Sequence, residues 1–586
     1  LPVKPIYYRS PMVALHAVPL SSGQVRTSDR LTNEVYQAAK AYIGAEQSWE
    51  ALFRLACLCV DAPMEEKVTH CLLEMIATQQ PDGCYRGVPD KDLAIARGAL
   101  ALYEYGNSRE VLQSLLLYCS WVSANWPLVM ESRDIRRRPG DLMEFLILLY
   151  RYTGKPAVLS LCDRLRRDSV HWTGILRSYP VKRPTYMMAS WLETRAGIDR
   201  EKDQDDGQYT RQYMMSHAET LADGLRSACI TSQYSGSATE SDAGRVGWNK
   251  ISAAHGAVCG GTTGDECVQG SDPSIAIDSA AVGAWTEAFL VQLVQPDSIW
   301  AEEQLDLLIY NALPACFQGG KVLGYQRVNS LDRSMQLRDC YHTHSGEEQR
   351  RRATIRLARA WQRAYMSAVM TTRTGCEVHL YLGGEYDLQM NGSAYRISMK
   401  NLSDSSVQIS LQTKEPVKAE IRLRAPKYMT ELQLAINGKA AAFEIKDGFI
   451  ELSRIWKHGD TISMVWVSEL HLVETYHQGR AVMYGPQLMT MDVSEHDWHM
   501  AMVDEPYLEE GVVRVHLAPI DQTTVDIAAE EEDEEEGDDR EKKEKEPFKP
   551  IPFPVMPKVT EERETVVMVP YASVPVHLTV FPRAQA

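Results

Sequence analysis

Residues 360–382 read AWQRAYMSAVMTTRTGCEVHLYL, and the fold of the chain turns on this stretch. Up to about residue 370 apolar side chains recur at helical spacing. From about residue 375 they recur at every second position, as Val378, Leu380 and Leu382. A period of 3.6 marks a helix packed on one face, and a period of two marks a half-buried strand. The chain therefore passes here from a helical part to a β part.

Upstream, from about residue 30, the helical pattern is continuous. Leu142, Phe145, Leu146 and Leu149 follow i, i+3, i+4, i+7 spacing, opened by Pro139-Gly140 or Asp141 and closed by Thr153-Gly154-Lys155-Pro156. Ala157, Val158, Leu161, Cys162 and Leu165 begin a further helix after a proline, and Leu305, Leu308, Ile309, Ala312 and Leu313 mark another. Many helices with short breaks and no strands between them predict a helical array or an α/α toroid, and the lack of a fixed repeat speaks against a regular solenoid. Downstream, Val407, Ile409 and Leu411 alternate, as do Ala419, Ile421 and Leu423, with turns at Asn391-Gly392, Asn437-Gly438, Asp447-Gly448 and Gly459-Asp460. This predicts a β-sandwich, followed by a second β-rich stretch with Val566 to Val569 and Val574 to Val580. The expected layout is an N-terminal extension (1–30) packed on the β modules, a helical domain (31–372), a β-sandwich (373–475) and a C-terminal β-rich module (476–586). Inside the last, residues 528–558 form an acidic and then proline-rich loop that cannot bury enough apolar surface to order itself.

Composition narrows the function. Of 586 residues, 44% are hydrophobic and 24% charged, which excludes a disordered chain or a fibrous rod. The net charge is −17, and residues 530–546, with twelve acids and four bases, supply −8 of it. No basic field is available to gather phosphates, so nucleic acid is not an expected partner; a neutral or weakly charged small substrate is. No apolar run is long enough to span a membrane. The twelve cysteines are scattered singly, and those in apolar helical runs (Cys57, Cys59, Cys71, Cys119, Cys162) read as small buried hydrophobes. The chain starts at Leu1 without a visible signal segment, and a secreted or periplasmic location is the expectation. The oligomeric state is left open.

The stretch His255 to Val282, HGAVCGGTTGDECVQGSDPSIAIDSAAV, carries the chemistry. Glycines 260, 261 and 264 let the backbone approach a ligand and deliver Asp265 and Glu266; Asp278 follows. Two carboxyl groups in one pocket are what glycosidic cleavage needs, one to protonate the leaving oxygen and one to attack or activate water. Asp278 also stands where an N-cap belongs, and both roles stay open.

Several ordered motifs resemble the β-L-arabinofuranosidase family of glycosidases (glycoside hydrolase family 127 and relatives). Tyr150-Arg-Tyr-Thr-Gly154 resembles that family's LYxxTG helix end, and His217 with Gly224-Leu225-Arg226 its HGxNxxxGLK segment. His255-Gly256 with Gly264-Asp265-Glu266 resembles its HG…GDE loop, Tyr310 to Ala315 its FNALPA helix end, Ala360 to Tyr381 the lead-in to its β-sandwich, and Pro570-Tyr571 its C-terminal strand. The resemblance implies an N-terminal (α/α)6 barrel (31–372) followed by β-sandwich modules, that Glu266 is the general acid/base, that His217, His255 and Asp265 line the sugar pocket, and that the substrate is an oligo- or polysaccharide cleaved by an exo-acting glycosidase. The family also carries an ETC triplet and a CC pair that supply zinc ligands and a cysteine nucleophile. Here these positions read Asp278-Ser279-Ala280 and Arg352-Ala353, so the sulfurs are gone and no zinc or other cofactor is expected. Asp278 becomes the candidate second carboxylate opposite Glu266, about 5–5.5 Å away for a retaining enzyme and about 6.5–9.5 Å for an inverting one. Cys340, His342, His344, Glu347 and Glu348 are lesser candidates for replacing the lost groups. Trp248 and Trp285 fit core packing better than sugar stacking. The competing reading is a non-catalytic, carbohydrate-binding relative, and Arg352 filling the pocket would favour it.

Overall fold

A computed structural model describes residues 15–184, 215–318, 320–330, 346–390, 392–493, 499–521 and 553–585. Helices run from Arg30–Lys40 to Gly346–Ala368 and form the expected helical barrel. Their ends follow local chemistry. The Asp29 carboxylate accepts the Thr32 N–H at 2.9 Å at the start of Arg30–Lys40, and Gly154 ends Gly140–Thr153 in the left-handed region. Helix Ser279–Leu290 packs most extensively against Gly346–Ala368. The crossing is tight because residue 283 is glycine: a Cβ there would lie 2.8 Å from the Arg356 carbonyl carbon. Trp285 is fully buried and stacks with Phe289, while Trp248 lies 4.9 Å from both rings. These tryptophans are core residues, as their apolar neighbours required.

The helical part is not free of strands, and here the sequence-based expectation is corrected. Ala276–Asp278 pairs antiparallel with Tyr325–Arg327, and Phe317–Gln318 pairs with Lys321–Val322. These strands are too short to show a period of two. The helix predicted through Leu313 also widens into a π-turn at Leu308–Ala312. That turn presents Asn311, which donates to the Pro486 carbonyl at 2.9 Å and accepts the Leu488 N–H at 2.7 Å. The helical part is thereby stitched to the C-terminal strands.

From Val369 onward the chain builds a seven-stranded and a five-stranded sheet whose buried residues share a core with the helices. The turns at Asn437-Gly438 and Asp447-Gly448 have positive φ at both residues, as tight hairpins of primed type need. Val25–Arg26 joins the edge of the larger sheet beside Gly384–Met390. Leu470–Glu474 begins the C-terminal sheets, which end with Val580–Phe581 around a second core. No disulfide joins two of the described cysteines. Cys57, Cys119 and Cys162 are buried, whereas Cys59 and Cys71 are half-exposed. No helix among the described residues is long and apolar enough to cross a membrane.

Candidate functional site

The glycine loop is stitched to two elements at once. On one side the Ala218 N–H donates to the Glu266 carbonyl and the Val268 N–H to the Ser216 carbonyl, both at 2.8 Å. On the other the Gly264 N–H donates to the Ala276 carbonyl at 2.6 Å and the Asp278 N–H to the Gly264 carbonyl at 3.0 Å. Gly264 has φ of +122°, and a Cβ on it would stand 1.9 Å from the Cys267 carbonyl oxygen, so only glycine fits. This stitching brings Glu266, Asp278 and the start of helix Ala218–Ser235, with Glu219, to one place.

Asp278 fills both roles read from the sequence, with one oxygen for each. Its Oδ1 accepts the Ala280 N–H at 2.8 Å, capping helix Ser279–Leu290, and also the Gln349 Nε2 at 2.6 Å. Its Oδ2 is buried and has no hydrogen-bond partner among the described residues. Burial, then the neighbouring charge of Glu219 and that of Glu266, pushes the Asp278 carboxyl well above its usual range despite the Arg352 guanidinium.

Glu219 is the opposite case. Burial disfavours its charge, but Arg352, Arg356 and Arg138 outweigh burial and hold the carboxyl far below its usual range. Arg356 Nε lies 3.2 Å and Arg138 Nη1 3.4 Å from Glu219 Oε2, while Arg352 Nη2 bonds Oε1. Arg352 Nη1 also donates to the Gln349 Oε1 at 3.0 Å, so one side-chain chain links Glu219, Arg352, Gln349 and Asp278. Tyr325 stands directly across the two-strand ladder from Asp278. Burial, with the charges of Asp278, Asp265 and Glu266, pushes its phenol far up.

The other residues named from the sequence divide. His217 caps helix Ala218–Ser235, and its Nδ1 lies 3.3 Å from Thr220 Oγ1; burial lowers its pKa to about 4, so the ring is neutral. The Glu266 charge is felt at His217, which places the ring in the cluster. His255 and Asp265 are 0% exposed and serve the loop itself. His255 Nδ1 accepts the Gly270 N–H at 3.0 Å and its Nε2 faces the Val181 carbonyl at 3.1 Å; burial lowers its pKa to about 4. Asp265 Oδ1 accepts the Glu266 N–H at 3.1 Å and the Gln269 amide at 2.7 Å. Here these two side chains satisfy polar groups beneath the turns of the loop. Glu347 is exposed and Glu348 pairs with Arg351. Cys340, His342 and His344 lie outside the described residues.

Sequence reasoning missed three members of the cluster. Gln349 sits in GEEQRRR, which reads as an exposed helix start, yet it is 1% exposed and shares a helix face with Arg352 at i+3. Glu219 follows His217 by two residues and had no motif of its own. Tyr325 was invisible because its strand was.

The donor set does not fit zinc. Ala280 and Ala353 offer no ligand atom, Asp278 Oδ1 is engaged, and Arg352 places a cation beside the carboxyls. No group of three metal-binding side chains occurs among the described residues.

The fold is that of glycoside hydrolases. A solved structure titled as a glycoside hydrolase superposes with a TM-score of 0.70 at 12% identity, covering 97% of this chain and 98% of that one. Within the class the likeness is to family 127. A GH127 β-L-arabinofuranosidase from Geobacillus stearothermophilus T6 matches with a TM-score of 0.63 at 15% identity over 94% of each chain. A further GH127 β-arabinofuranosidase matches at 0.65 and 13%, over 98% and 99%. Residues 375–466 match the family model described as the β-L-arabinofuranosidase GH127 middle domain. The resemblance read from the sequence is borne out in that segment and in the fold of the whole chain. No curated protein sequence matches the chain.

Proposed function

We propose that the protein is a glycoside hydrolase that removes a terminal sugar from a glycan side chain, with Glu266 and Asp278 as its two carboxyl groups. The observation that carries this reading is Asp278 Oδ2: a buried acid oxygen with no hydrogen-bond partner among the described residues, beside Glu266. A purely structural cap needs one oxygen, and Asp278 uses its other oxygen for that. Evolution rarely leaves a buried polar atom unsatisfied without chemistry to do.

The family's zinc–cysteine route is closed to this chain, since Ala353 has no sulfur and Arg352 no nucleophilic atom. Carboxylate chemistry takes its place. Glu266 is assigned as acid/base and Asp278 as nucleophile or base. Burial and neighbouring acids raise the Asp278 carboxyl above its usual range, and Arg352, linked to it through Gln349, supports a negative charge there. His217, neutral and buried, supplies a ring nitrogen to the sugar. The substrate is arabinofuranosidase-like, and the protein is placed outside the cytoplasm, where such glycans are met.

The test is sugar release from arabinofuranosyl, rhamnosyl and uronic-acid-containing oligosaccharides by wild type and Glu266→Gln. Release that collapses in Glu266→Gln supports the assignment; release that survives it removes Glu266 from the mechanism. A non-catalytic, carbohydrate-binding protein is the second reading. Arg352, standing where the family aligns its cysteine pair and tied to Glu219, favours it. Binding without release from any member of the panel would establish it.

A further inference from the structure

Two cavities are lined by neighbours of the Glu266–Asp278 cluster, Glu219 and Arg352 in one and Tyr325 in the other. One, of about 260 Å³, is walled by charge, with Arg138, Arg352, Arg356 and Glu219 among its lining. The other is a groove of about 920 Å³. It runs between the first turn of helix Arg30–Lys40, the hairpin around Phe317 and Lys321, and the segment from Tyr571 to His577. Its volume is at the upper end of the roughly 300–1,000 Å³ usual for ligand sites.

Tyr325 connects the groove to the chemistry. It lines the groove and is the cross-strand partner of Asp278 in the Ala276–Asp278 ladder. Side chains directly opposite in an antiparallel pair lie on the same face, so the phenol stands between the groove and the acid. The groove's ionic lining is balanced: Asp29 and Glu34 against Arg30 and Arg327. His577, in the described lining, has its pKa lowered by burial. Tyr325 offers a partly exposed ring among amides and hydroxyls, while Phe317 and Tyr571 are buried in the wall. Aromatic faces with neutral polar neighbours match a sugar chain, whereas a polyanion would need a surplus of guanidinium groups.

We infer that this groove is a second binding site, which holds the uncharged oligosaccharide from which the terminal sugar is cut, with Tyr325 at the point of cleavage. The inference rests on the glycosidase reading of the carboxyl cluster for the word cleavage, but not for binding. It makes the charged cavity the place of the departing sugar and the groove the place of the remaining chain. Specificity for the backbone glycan then resides at the junction of the helical part and the C-terminal strands.

The experiment blocks the groove without touching the cluster. Gln318 and Ser573 are exposed lining residues, so Gln318→Trp and Ser573→Trp fill the groove at little cost to folding. Each variant is assayed on a small aryl glycoside and on a neutral oligosaccharide with the same terminal sugar. In parallel, binding of that oligosaccharide to Glu266→Gln, with and without each tryptophan, is measured by calorimetry. The expected result is a fall of about tenfold or more in kcat/KM for the oligosaccharide, with a matching rise in its Kd. Hydrolysis of the aryl glycoside stays within about twofold of wild type. Equal losses on both substrates, or binding indifferent to both tryptophans, would overturn the groove. If no substrate is hydrolysed but the tryptophans abolish binding, the groove stands and the glycosidase reading falls. If the oligosaccharide binds neither wild type nor Glu266→Gln, the groove falls.

Discussion

Two buried carboxyl groups sit at the two ends of helix Ser279–Leu290, in opposite surroundings. Glu287, in its last turn, is 1% exposed and faces Arg359 at 3.0 Å, Arg356 at 3.2 Å and Arg363 at 3.4 Å. Burial works against its charge, but these arginines and Arg226 outweigh it and leave its pKa lowered. Asp278, at the first turn, is 0% exposed, has acids as its close charged neighbours apart from Arg352, and keeps one oxygen unbonded. The same kind of group is structural at one end and chemically poised at the other. The difference lies in the neighbours rather than in burial. The arginine-held carboxylates continue along the helical part through Asp141, which accepts from Arg226 at 2.5 Å and from Arg359 at 2.8 Å. They fix how the helices sit, and so where the glycine loop and Gly346–Ala368 meet.

The comparison can be broken at several points. The largest effect falls on catalysis: Glu266→Gln lowers kcat by about 10²–10⁴-fold while the thermal midpoint stays near wild type, measured by sugar release and by thermal melting. Next is Glu287→Gln, which leaves several guanidiniums with one partner fewer. It costs about 3–5 kcal/mol in denaturant unfolding, the loss expected when one member of a buried ion network is removed. Gly283→Ala pushes a Cβ against the Arg356 backbone. It costs about 1–3 kcal/mol and also reduces turnover, because the helix carrying Gln349 and Arg352 is displaced.

The smallest effect is the response to pH. His217 and His255 have pKa values lowered by burial to about 4, against 6.5 unfolded. The unfolded chain therefore takes up protons first as pH falls. Stability is full above pH 6.5 and declines from there toward pH 4. Denaturant titrations across that window show the decline. His255→Gln flattens it, whereas a flat wild-type curve would mean that the two rings are not held neutral.

Much of this was legible in the residues. The change of period near residue 375 marked where helices give way to strands, because each element presents one continuous apolar face. Gly264 and Asp278 announced a close loop approach and a helix cap, since both needs are local. What was not legible is long-range. Ala276–Asp278 and Tyr325–Arg327 hold a strand conformation only by pairing with each other, so neither shows a pattern of its own. Gln349 looks like one polar residue among exposed ones until the facing helix supplies Asp278. His255 and Asp265 matched sugar-pocket positions by motif. Yet their partners, the Gly270 N–H and the Gln269 amide, lie within the same loop, and a motif does not say which way a side chain turns.

Whether Asp278 serves chemistry or only its helix is decided by Asp278→Asn. Asparagine caps a helix as well as aspartate and leaves an acceptor for the Ala280 N–H and the Gln349 amide. It also removes a buried acid from beside Glu219 and Glu266. Sugar release and the thermal midpoint are measured on the same preparation. If Asp278 is the second carboxyl of the reaction, the midpoint is unchanged or raised and release falls by about a hundredfold or more. A lowered midpoint with release intact would show that Asp278 is only the cap of its helix.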